Sequence, residues 1–182
     1  PTKKGITGTV ELNRLLQLSI NPPSEEKKEY KYGDTIFREG DKVMQTKNNY
    51  DMEYSTLTGE KGSGVYNGDM GIIDSIHKED KYMIISFDDG KIIEYPFTDL
   101  DEIELAYAIT VHKSQGSEYP VVIIPMYYTS PMLLTRNLLY TAVTRARRMV
   151  ILVGRADIPA KMVENNREIL RYTTLKERIL NL

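Results

Sequence analysis

The chain has 182 residues, of which 41% are hydrophobic and 27% are charged, as is typical of a folded protein of one or two domains. No stretch approaches the roughly 18 apolar residues that a membrane-spanning helix needs, and the first residues lack the apolar core of a signal peptide. The chain has no cysteine, which excludes disulfides and thiol nucleophiles, and its two histidines have no nearby ligand partner. We therefore expect a cytoplasmic protein that holds no metal.

The charge balance restricts how the protein can bind nucleic acid. The net charge is -2 at pH 7 and the isoelectric point is near 5.8, which argues against binding by overall charge alone. Any contact with DNA or RNA therefore has to depend on a local group of residues. The chain begins with Pro1 rather than methionine, and "PTKKG" is typical of a strand end entering a loop, so we expect a piece of a longer protein.

The N-terminal part predicts one helix followed by a linker. In "GTVELNRLLQLSI" the apolar residues recur at helical spacing, with Gly8 or Thr9 available as a cap. Pro22 and Pro23 end this helix because proline cannot continue it, and the charged run that follows is typical of a solvated connector. We expect the first domain boundary near residue 30.

Residues 37–100 predict a small β-barrel. Short β-like runs such as "DKVMQT", "MGIIDSI", "KYMIISF" and "KIIEY" are separated by turn signals. "DDGK" at 88–91 predicts a hairpin turn, which we prefer to a strand ending in metal-binding carboxylates. "VYNGDMG" predicts a structural turn. The stretch around residues 50–66 predicts a long mobile loop.

From about Ile103 the pattern alternates between strands and helices, which is typical of α/β folds with a parallel sheet. The predicted order is a strand at "EIELA", a short helix in "YAITVHKSQG", a strand at "PVVIIPM", a helix opened by Ser130 and Pro131, a strand at "MVILVG" and helices to the C-terminus. The predicted architecture is one α/β domain of residues 1–30 and 103–182, interrupted by a β-barrel of residues 31–102.

The segment "ITVHKSQGSEYP" combines many polar residues with a glycine-centred turn just before a strand. One interpretation is a polar connection at the sheet edge, with Gly116 as the C-cap of a helix. The other is a ligand site at the carboxyl end of a strand, where backbone amides and small polar side chains meet anions. The segment alone leaves both open.

The segment "NLLYTAVTRARRMVILVG" favours the second interpretation. The apolar residues of the helix predicted here recur at i, i+3, i+4 and i+7, and they are Leu139, Ala142, Val143 and Ala146. Arg145 flanks this face, and a fixed planar donor near a sheet edge suits phosphate recognition. We interpret Arg147 and Arg148 as surface charge.

"YAITVHKSQGSEYPVVIIP" and "LLYTAVTRARRMVILVG" resemble motifs V and VI of superfamily 1 DNA helicases, and in detail those of the RecD-like branch, which includes the alpha subunit of exodeoxyribonuclease V. The resemblance extends over nearly the whole chain. "PTKKGITGTVELNRLLQ" resembles the motif before the insert of the second RecA-like domain, and the stretch from "FREGDKVMQTKNNYD" to "VYNGDMGII" resembles the inserted SH3-like barrel. The resemblance implies a RecA-like, P-loop NTPase-type parallel sheet domain that lacks its own phosphate loop.

The resemblance also implies roles for single residues, because in this family the active site lies in a cleft between two RecA-like domains. Arg145 matches the arginine finger that reaches the γ-phosphate of ATP. Gly116 matches a close backbone approach near that phosphate, and Glu118 matches a residue held near the nucleotide sugar. Thr110 and His112 match positions that face the backbone of single-stranded DNA.

Further DNA contacts are expected on the loop and on the barrel. Lys113 belongs either to the nucleotide surface or to the DNA surface, and we interpret Tyr140 as a packing residue. The barrel resembles one that forms part of a DNA channel, and its candidate contacts are Lys42, Lys47, Asn48, Asn49 and Tyr50. A tyrosine beside amides suits unpaired strands, but this stretch is also ordinary turn chemistry.

No G-x-x-x-x-G-K-[ST] loop occurs, so the chain carries half of a catalytic site. The resemblance implies ATP and Mg²⁺ as cofactors of the full-length protein, with Mg²⁺ held by an N-terminal RecA-like motor domain. The implied partners are single-stranded DNA, that N-terminal domain and other subunits of a recombination nuclease, in a bacterial, nucleoid-associated setting.

Our hypothesis is a C-terminal fragment of an ATP-dependent DNA helicase that translocates 5′ to 3′ on single-stranded DNA and is inactive as an ATPase alone. The first alternative is a DNA-binding accessory module without motor activity. The second is the corresponding domain of a conjugative relaxase helicase. A nuclease role is a third possibility, but no acidic metal cluster supports cutting by this chain itself.

Overall fold

The computed structural model describes Gly5, residues 7–127, residues 131–166 and Ile179. The chain divides into two compact units, Pro1–Gly116 and Ser117–Leu182. None of the helices described is long and apolar enough to cross a membrane. The domain division that the sequence predicts, residues 1–30 with 103–182 and the insert 31–102, stays a prediction.

The first unit opens with the predicted helix, α1 (Thr9–Ile20), but its buried side is polar. Thr9, Asn13 and Gln17 are buried, whereas Val10 is 65% exposed and Ile20 is 64% exposed. Residues four apart lie on the same side of a helix, so the three buried polar residues form one stripe. The apolar spacing therefore predicts the helix correctly but does not identify the face that packs.

A β-hairpin replaces the solvated connector that the sequence predicts after this helix. Strand β1 (Glu29–Tyr32) pairs antiparallel with β2 (Thr35–Arg38). The ring of Tyr30 stacks on Phe97 with centroids 3.8 Å apart, and Arg38 Nε donates to Glu29 Oε1 at 2.6 Å. Packing on Phe97 elsewhere in the unit and an ion pair within the hairpin thus order a segment whose composition indicates a linker.

The rest of the first unit is built on an antiparallel half-barrel sheet. Its seven strands follow the order β5-β4-β8-β7-β6-β3-β9. The strands are β3 (Lys42–Gln45), β4 (Asn49–Thr56), β5 (Lys61–Val65), β6 (Met70–His77), β7 (Tyr82–Phe87), β8 (Lys91–Pro96) and β9 (Ile103–Leu105), with a 3-10 helix (Phe97–Glu102) before β9. The predicted small β-barrel is therefore confirmed as an open half-barrel.

Apolar residues from successive strands form the core of this sheet. The fully buried members include Val43, Ile73, Ile76, Met83, Ile85, Ile93 and Tyr95. They alternate with more exposed residues along β7, as expected for a sheet with one face on the core. The predicted hairpin turn at 88–91 and the turn in "VYNGDMG" are both present, with Gly90 and Gly68 at positive φ.

The predicted mobile loop around residues 50–66 is wrong, because these residues form the β4–β5 hairpin. Tyr54 pairs with Gly62, and a Cβ added at Gly62 would lie 2.6 Å from Tyr54 Oη. The glycine therefore leaves room for the tyrosine ring. Glycine-rich composition indicates a loop, but here it permits cross-strand packing.

The strand at "EIELA" also differs from the prediction. Residues Ile103–Leu105 form β9, which pairs antiparallel with β3 and belongs to the half-barrel sheet rather than to the parallel sheet. Ala106 N continues this pairing by donating to Lys42 O at 2.8 Å. The alternation of apolar and polar residues predicts a strand but does not reveal its partner.

The second unit has two parallel strands and helices, so the predicted α/β character is confirmed in outline. Strand β10 (Tyr119–Met126) pairs with β11 (Ala146–Gly154). A 3-10 turn (Pro131–Leu133) and helix α2 (Arg136–Val143) connect them, and α3 (Asp157–Glu164) follows.

The start of α2 differs from the prediction. The α-helix begins at Arg136 because Thr135 Oγ1 accepts from Leu138 N at 3.3 Å, and Pro131 opens only the 3-10 turn. Ser130 and most of the predicted C-terminal helices lie outside the described residues.

Candidate functional site

The loop of residues 109–116 follows β9 in the first unit and carries four predicted site residues. Residues 111–116 form successive turns, so the predicted short helix is wrong. Thr110 O accepts from Lys113 N at 3.1 Å and from Ser114 N at 3.2 Å, while Ser114 Oγ donates to Val111 O at 2.7 Å. Side-chain hydrogen bonds of this kind compete with a regular helix.

The loop exposes some of its predicted site residues and fixes another. His112 and Gly116 are exposed, and Thr110 is half-buried. Gly116 has a φ of 89°, a conformation that favours glycine. The ammonium group of Lys113 forms an ion pair with the Glu104 carboxylate on β9. The charge of Lys113 is therefore paired with a carboxylate of the same unit.

Arg145 lies in the turn between α2 and β11 of the second unit. The prediction that it flanks a helix is wrong, because α2 ends at Val143 and Ala146 already belongs to β11. Arg145 Nη1 donates to Ser117 O at 3.2 Å, and Arg145 O accepts from Tyr119 N at 2.8 Å. Among the described residues, its Nε is buried without a hydrogen-bond partner.

Glu118 and Arg145 both lie next to the first residues of strands. Tyr119 at the start of β10 is in register with Ala146 at the start of β11. Both residues therefore stand at the amino ends of parallel strands, and the expected position at the carboxyl end of a strand is wrong for Glu118. Glu118 Oε2 accepts from Arg147 Nε at 2.7 Å, and both side chains are exposed.

Two further side chains of this segment were interpreted from the sequence. Arg147 and Arg148 are exposed on β11, as the interpretation as surface charge predicts. Tyr140 is 71% exposed, so its interpretation as a packing residue is wrong. Helical spacing could not assign it because the apolar stripe of α2 is only two turns long.

Two of the predicted DNA contacts on the barrel, Lys47 and Asn49, bind other residues of the chain. Lys47 pairs with the Asp101 carboxylate, and this hydrogen bond raises the pKa of Lys47. Asn49 Nδ2 donates to Glu102 Oε2 at 2.9 Å, and Asn49 Oδ1 accepts from Met52 N at 3.1 Å. Both ends of the Asn49 amide are therefore used within the chain.

At the barrel edge formed by residues 47–50, the exposed side chains are those of Lys47, Asn48 and Tyr50. Tyr50 is 64% exposed, and Asn48 Nδ2 donates to its hydroxyl at 3.3 Å. Lys42, the remaining candidate, is half-buried on β3.

A second tyrosine beside this edge was missed by the sequence analysis. The ring of Tyr66 meets that of Tyr50 edge-on with centroids 5.9 Å apart, and Tyr66 is 42% exposed. Lys91 Nζ lies 5.1 Å from the centroid of the Tyr66 ring. A Cβ at Gly64 would lie 2.8 Å from the Tyr66 hydroxyl. The signal was the alternating glycines of "KGSGVY", which leave room for aromatic rings.

A buried polar network behind the 109–116 loop was not predicted from the sequence. It includes Asn13 and Gln17 of α1, Asp41 before β3 and Tyr107 before the loop. The signal was the repeat of amide residues at spacing four, Asn13, Gln17 and Asn21, on one side of a helix.

Comparison with protein families gives two matches, one to the barrel region and one to the region that follows it. Residues 12–87 match the ATP-dependent RecD-like DNA helicase SH3 domain. Residues 105–153 match the UvrD-like helicase C-terminal domain.

Individual relatives are similar over nearly the whole chain. The ATP-dependent RecD2 DNA helicase of Deinococcus radiodurans is 35% identical over 179 residues, which is 98% of this chain and 22% of that protein. The RecBCD enzyme subunit RecD of Mycolicibacterium smegmatis is 32% identical over 97% of this chain and 28% of its own length. The chain thus spans about a quarter of these relatives.

One solved structure supports the fold. It concerns DNA unwinding at forked dsDNA by two coordinating Pif1 helicases, and it matches 81% of this chain and 38% of its own with a TM-score of 0.55 and 22% identity. The two family matches, the relatives and this fold agree with the motifs of the sequence. The chain belongs to the RecD-like superfamily 1 helicases, of which it carries the SH3-like domain and the UvrD-like C-terminal helicase domain.

Proposed function

We propose that the chain is the second RecA-like motor domain, with its inserted barrel, of an ATP-dependent DNA helicase that translocates 5′ to 3′ on single-stranded DNA. The similarity to the RecD2 DNA helicase over 98% of the chain supports this assignment. The N-terminal motor domain of the same protein is the required partner. Other subunits of a recombination nuclease are a further class of partner, as the similarity to RecBCD subunits suggests.

The observation that carries the catalytic part of the proposal is the buried Nε of Arg145, which has no hydrogen-bond partner among the described residues. A buried donor without a hydrogen bond costs about 1–3 kcal/mol of stability. The half-buried guanidinium of Arg145 therefore gains free energy when an anion accepts its unpaired N–H. Arg145 fits the phosphate of ATP, which supplies the transferable γ-phosphoryl group when bound. Gly116 and Glu118 are the proposed neighbours of the nucleotide.

Mg²⁺ does not fit the described part of this chain. Among the described residues, no group of three or more His, Cys, Asp and Glu side chains is arranged to hold a metal ion. We therefore assign Mg²⁺ to the N-terminal motor domain of the full-length protein. In this proposal the chain contributes the positive charge of Arg145 to phosphoryl transfer.

Two surfaces of the first unit are the proposed contacts with single-stranded DNA. The 109–116 loop offers the hydroxyl of Thr110 and the imidazole of His112 as donors to phosphate oxygens. The barrel edge offers the exposed Asn48 and Tyr50, with Tyr66 beside them as a second ring on which a base can stack. Asn49 and Lys113 contribute to these two surfaces indirectly. Asn49 holds Glu102 at the barrel edge, and Lys113 holds Glu104 beside the loop.

The test of the catalytic proposal is Arg145→Ala in the full-length protein encoded by the same gene. We expect ATP hydrolysis to fall about a thousandfold or more, as for other arginine fingers, while the Kd for single-stranded DNA stays within about twofold. Arg148→Ala is the matched control, because Arg148 is exposed on β11 and should leave hydrolysis nearly unchanged. Unchanged hydrolysis in Arg145→Ala would refute the assignment.

A further inference from the structure

The root of the 109–116 loop, residues Leu105–Ala108, is held from several directions. Asn13 Nδ2 donates to Leu105 O at 2.8 Å and to Ala108 O at 2.9 Å, and Asn13 Oδ1 accepts from Ala108 N at 2.7 Å. The hydroxyl of Tyr107 donates to Asp41 Oδ1 at 2.9 Å. One amide side chain thus clamps three backbone groups of the root, and a carboxylate holds the residue between them.

Asp41 is the centre of this network. Its side chain is completely buried, and its four donors come from three segments of the unit, namely α1 with its C-cap, β2 and the loop root. The donors are Gln17 Nε2 at 2.5 Å, Arg38 N at 2.7 Å, Asn21 Nδ2 at 2.8 Å and the Tyr107 hydroxyl at 2.9 Å. A carboxylate with this many charge-assisted hydrogen bonds has little freedom to move.

The network also reaches the proposed DNA edge of the barrel. Asp41 directly precedes β3, and the candidate DNA contacts Asn48 and Tyr50 follow β3 within a few residues. Backbone bonds join β3 to the loop root as well, because Ala106 N donates to Lys42 O. Hydrogen bonds therefore tie the loop root to Asp41 and to β3, and β3 leads directly along the chain to the barrel edge.

This arrangement does more than attach a helix to a sheet. Apolar contacts would attach α1 without the cost of burying amides and a carboxylate, and the helix has leucines that it leaves partly exposed. Hydrogen bonds add direction, because each one fixes both the distance and the angle of the groups it joins. The buried polar stripe therefore fixes the position of the loop root more closely than apolar packing of α1 would.

We propose that Asn13, Asp41 and Tyr107 are positioning residues that fix the 109–116 loop to the barrel, so that the two single-stranded DNA surfaces act as one rigid site. The inference rests on the proposed function, because it concerns how DNA bound at the barrel edge and at the loop stimulates ATP hydrolysis. When the network is broken, DNA still binds but the loop no longer holds Thr110 and His112 at a fixed distance from Tyr50.

The chain offers a matched pair of substitutions for the test. Tyr107→Phe and Tyr95→Phe each remove one hydroxyl that donates to a side chain at 2.9 Å, to Asp41 in the first case and to Gln45 in the second. Tyr95 lies in the barrel core, and its hydroxyl donates to Gln45 on β3 rather than to Asp41. Both substitutions keep the ring and its packing, so a merely structural effect should appear in both.

The first measurement is hydrogen exchange of backbone amides 108–115 in the 182-residue chain. We expect exchange to be about tenfold faster in Tyr107→Phe and unchanged in Tyr95→Phe. The second is ATP hydrolysis by the full-length protein with and without single-stranded DNA. We expect Tyr107→Phe to lower the stimulation by DNA about threefold to tenfold, with KM for ATP and Kd for DNA within about twofold.

The outcomes separate this inference from the function on which it rests. If the unsubstituted full-length protein shows no DNA-stimulated hydrolysis, the proposed function fails, and hydrogen exchange still decides the positioning role. Unchanged exchange in Tyr107→Phe, unchanged stimulation, or equal effects in Tyr95→Phe would each overturn the inference. Selective effects of Tyr107→Phe in both measurements support it.

Discussion

At the scale of single residues, the hydroxyl of Tyr107 makes the stability of the first unit depend on alkaline pH. Burial raises the pKa of Tyr107 from 10.0 to about 12, and the negative charge of Asp41 contributes to the same shift. Because the folded pKa lies above the unfolded one, the neutral phenol is the form that stabilises the fold. Its contribution is complete below about pH 10 and is lost as the pH rises towards 12.

The measurement is the free energy of unfolding of the wild type and of Tyr107→Phe across this range of pH. We expect the difference between the two proteins to shrink as the pH rises through the window between the two pKa values. Burial also raises the pKa of Tyr95, so the difference between wild type and Tyr95→Phe should shrink over the same window by the same linkage. A difference for Tyr107→Phe that is constant with pH would contradict the assignment.

Tyr50 is the residue through which the barrel edge is expected to bind unpaired bases. Tyr50→Ala should weaken binding of single-stranded DNA by about 1–3 kcal/mol, because a base loses its stacking partner. The dependence of Kd on salt should not change, since no phosphate contact is removed. Tyr127→Ala is the control, because Tyr127 is an exposed tyrosine of the second unit. Unchanged binding in Tyr50→Ala would remove the barrel edge from the DNA site.

At the scale of secondary-structure elements, α1 reverses the usual relation between polarity and burial. Asn13→Ala leaves three backbone groups of the loop root without their partner, so we expect the free energy of unfolding to fall by about 2–4 kcal/mol. Leu18→Ala on the same helix should cost about 0.5 kcal/mol or less, because Leu18 is 45% exposed. Urea denaturation of the 182-residue chain measures both. A larger loss for Leu18→Ala would show that the apolar side of α1 is the one that packs.

The β4–β5 hairpin shows at the same scale why composition misleads. A segment with three glycines, several polar residues and few aliphatic ones indicates a loop. Its strands form because Tyr54 packs over Gly62 and because β4 also pairs with β8. These partners are distant in sequence, so local propensity could not reveal them.

At the scale of the whole molecule, the proposed function assigns to the chain one side of a catalytic site and part of a DNA surface. We expect the 182-residue chain to show no ATP hydrolysis, and the full-length protein to hydrolyse ATP with stimulation by single-stranded DNA, because phosphoryl transfer needs phosphate loop, metal and arginine together. The measurement compares the two proteins with and without DNA. A full-length protein that binds DNA but never hydrolyses ATP would favour the accessory-module alternative.

The sequence by itself determined the family and the order of the two regions. Motifs such as "VHKSQGSEYP" and "LLYTAVTRARR" are local in the chain, and their residue types carry the resemblance whatever their exact conformation. The same holds for strands with strong alternation, such as β7, and for turns with glycine at positive φ. These features depend on neighbours in sequence, which a sequence displays directly.

Only the tertiary structure decided which sides of these elements pack and where the site residues lie. The polar stripe of α1 is buried because Asp41 and the loop root, far away in the chain, complete its hydrogen bonds. Arg145 lies in a turn because β11 begins earlier than the helical spacing suggests, as its pairing with β10 requires. Burial and pairing depend on partners distant in sequence, so their outcome is fixed only when the chain has folded.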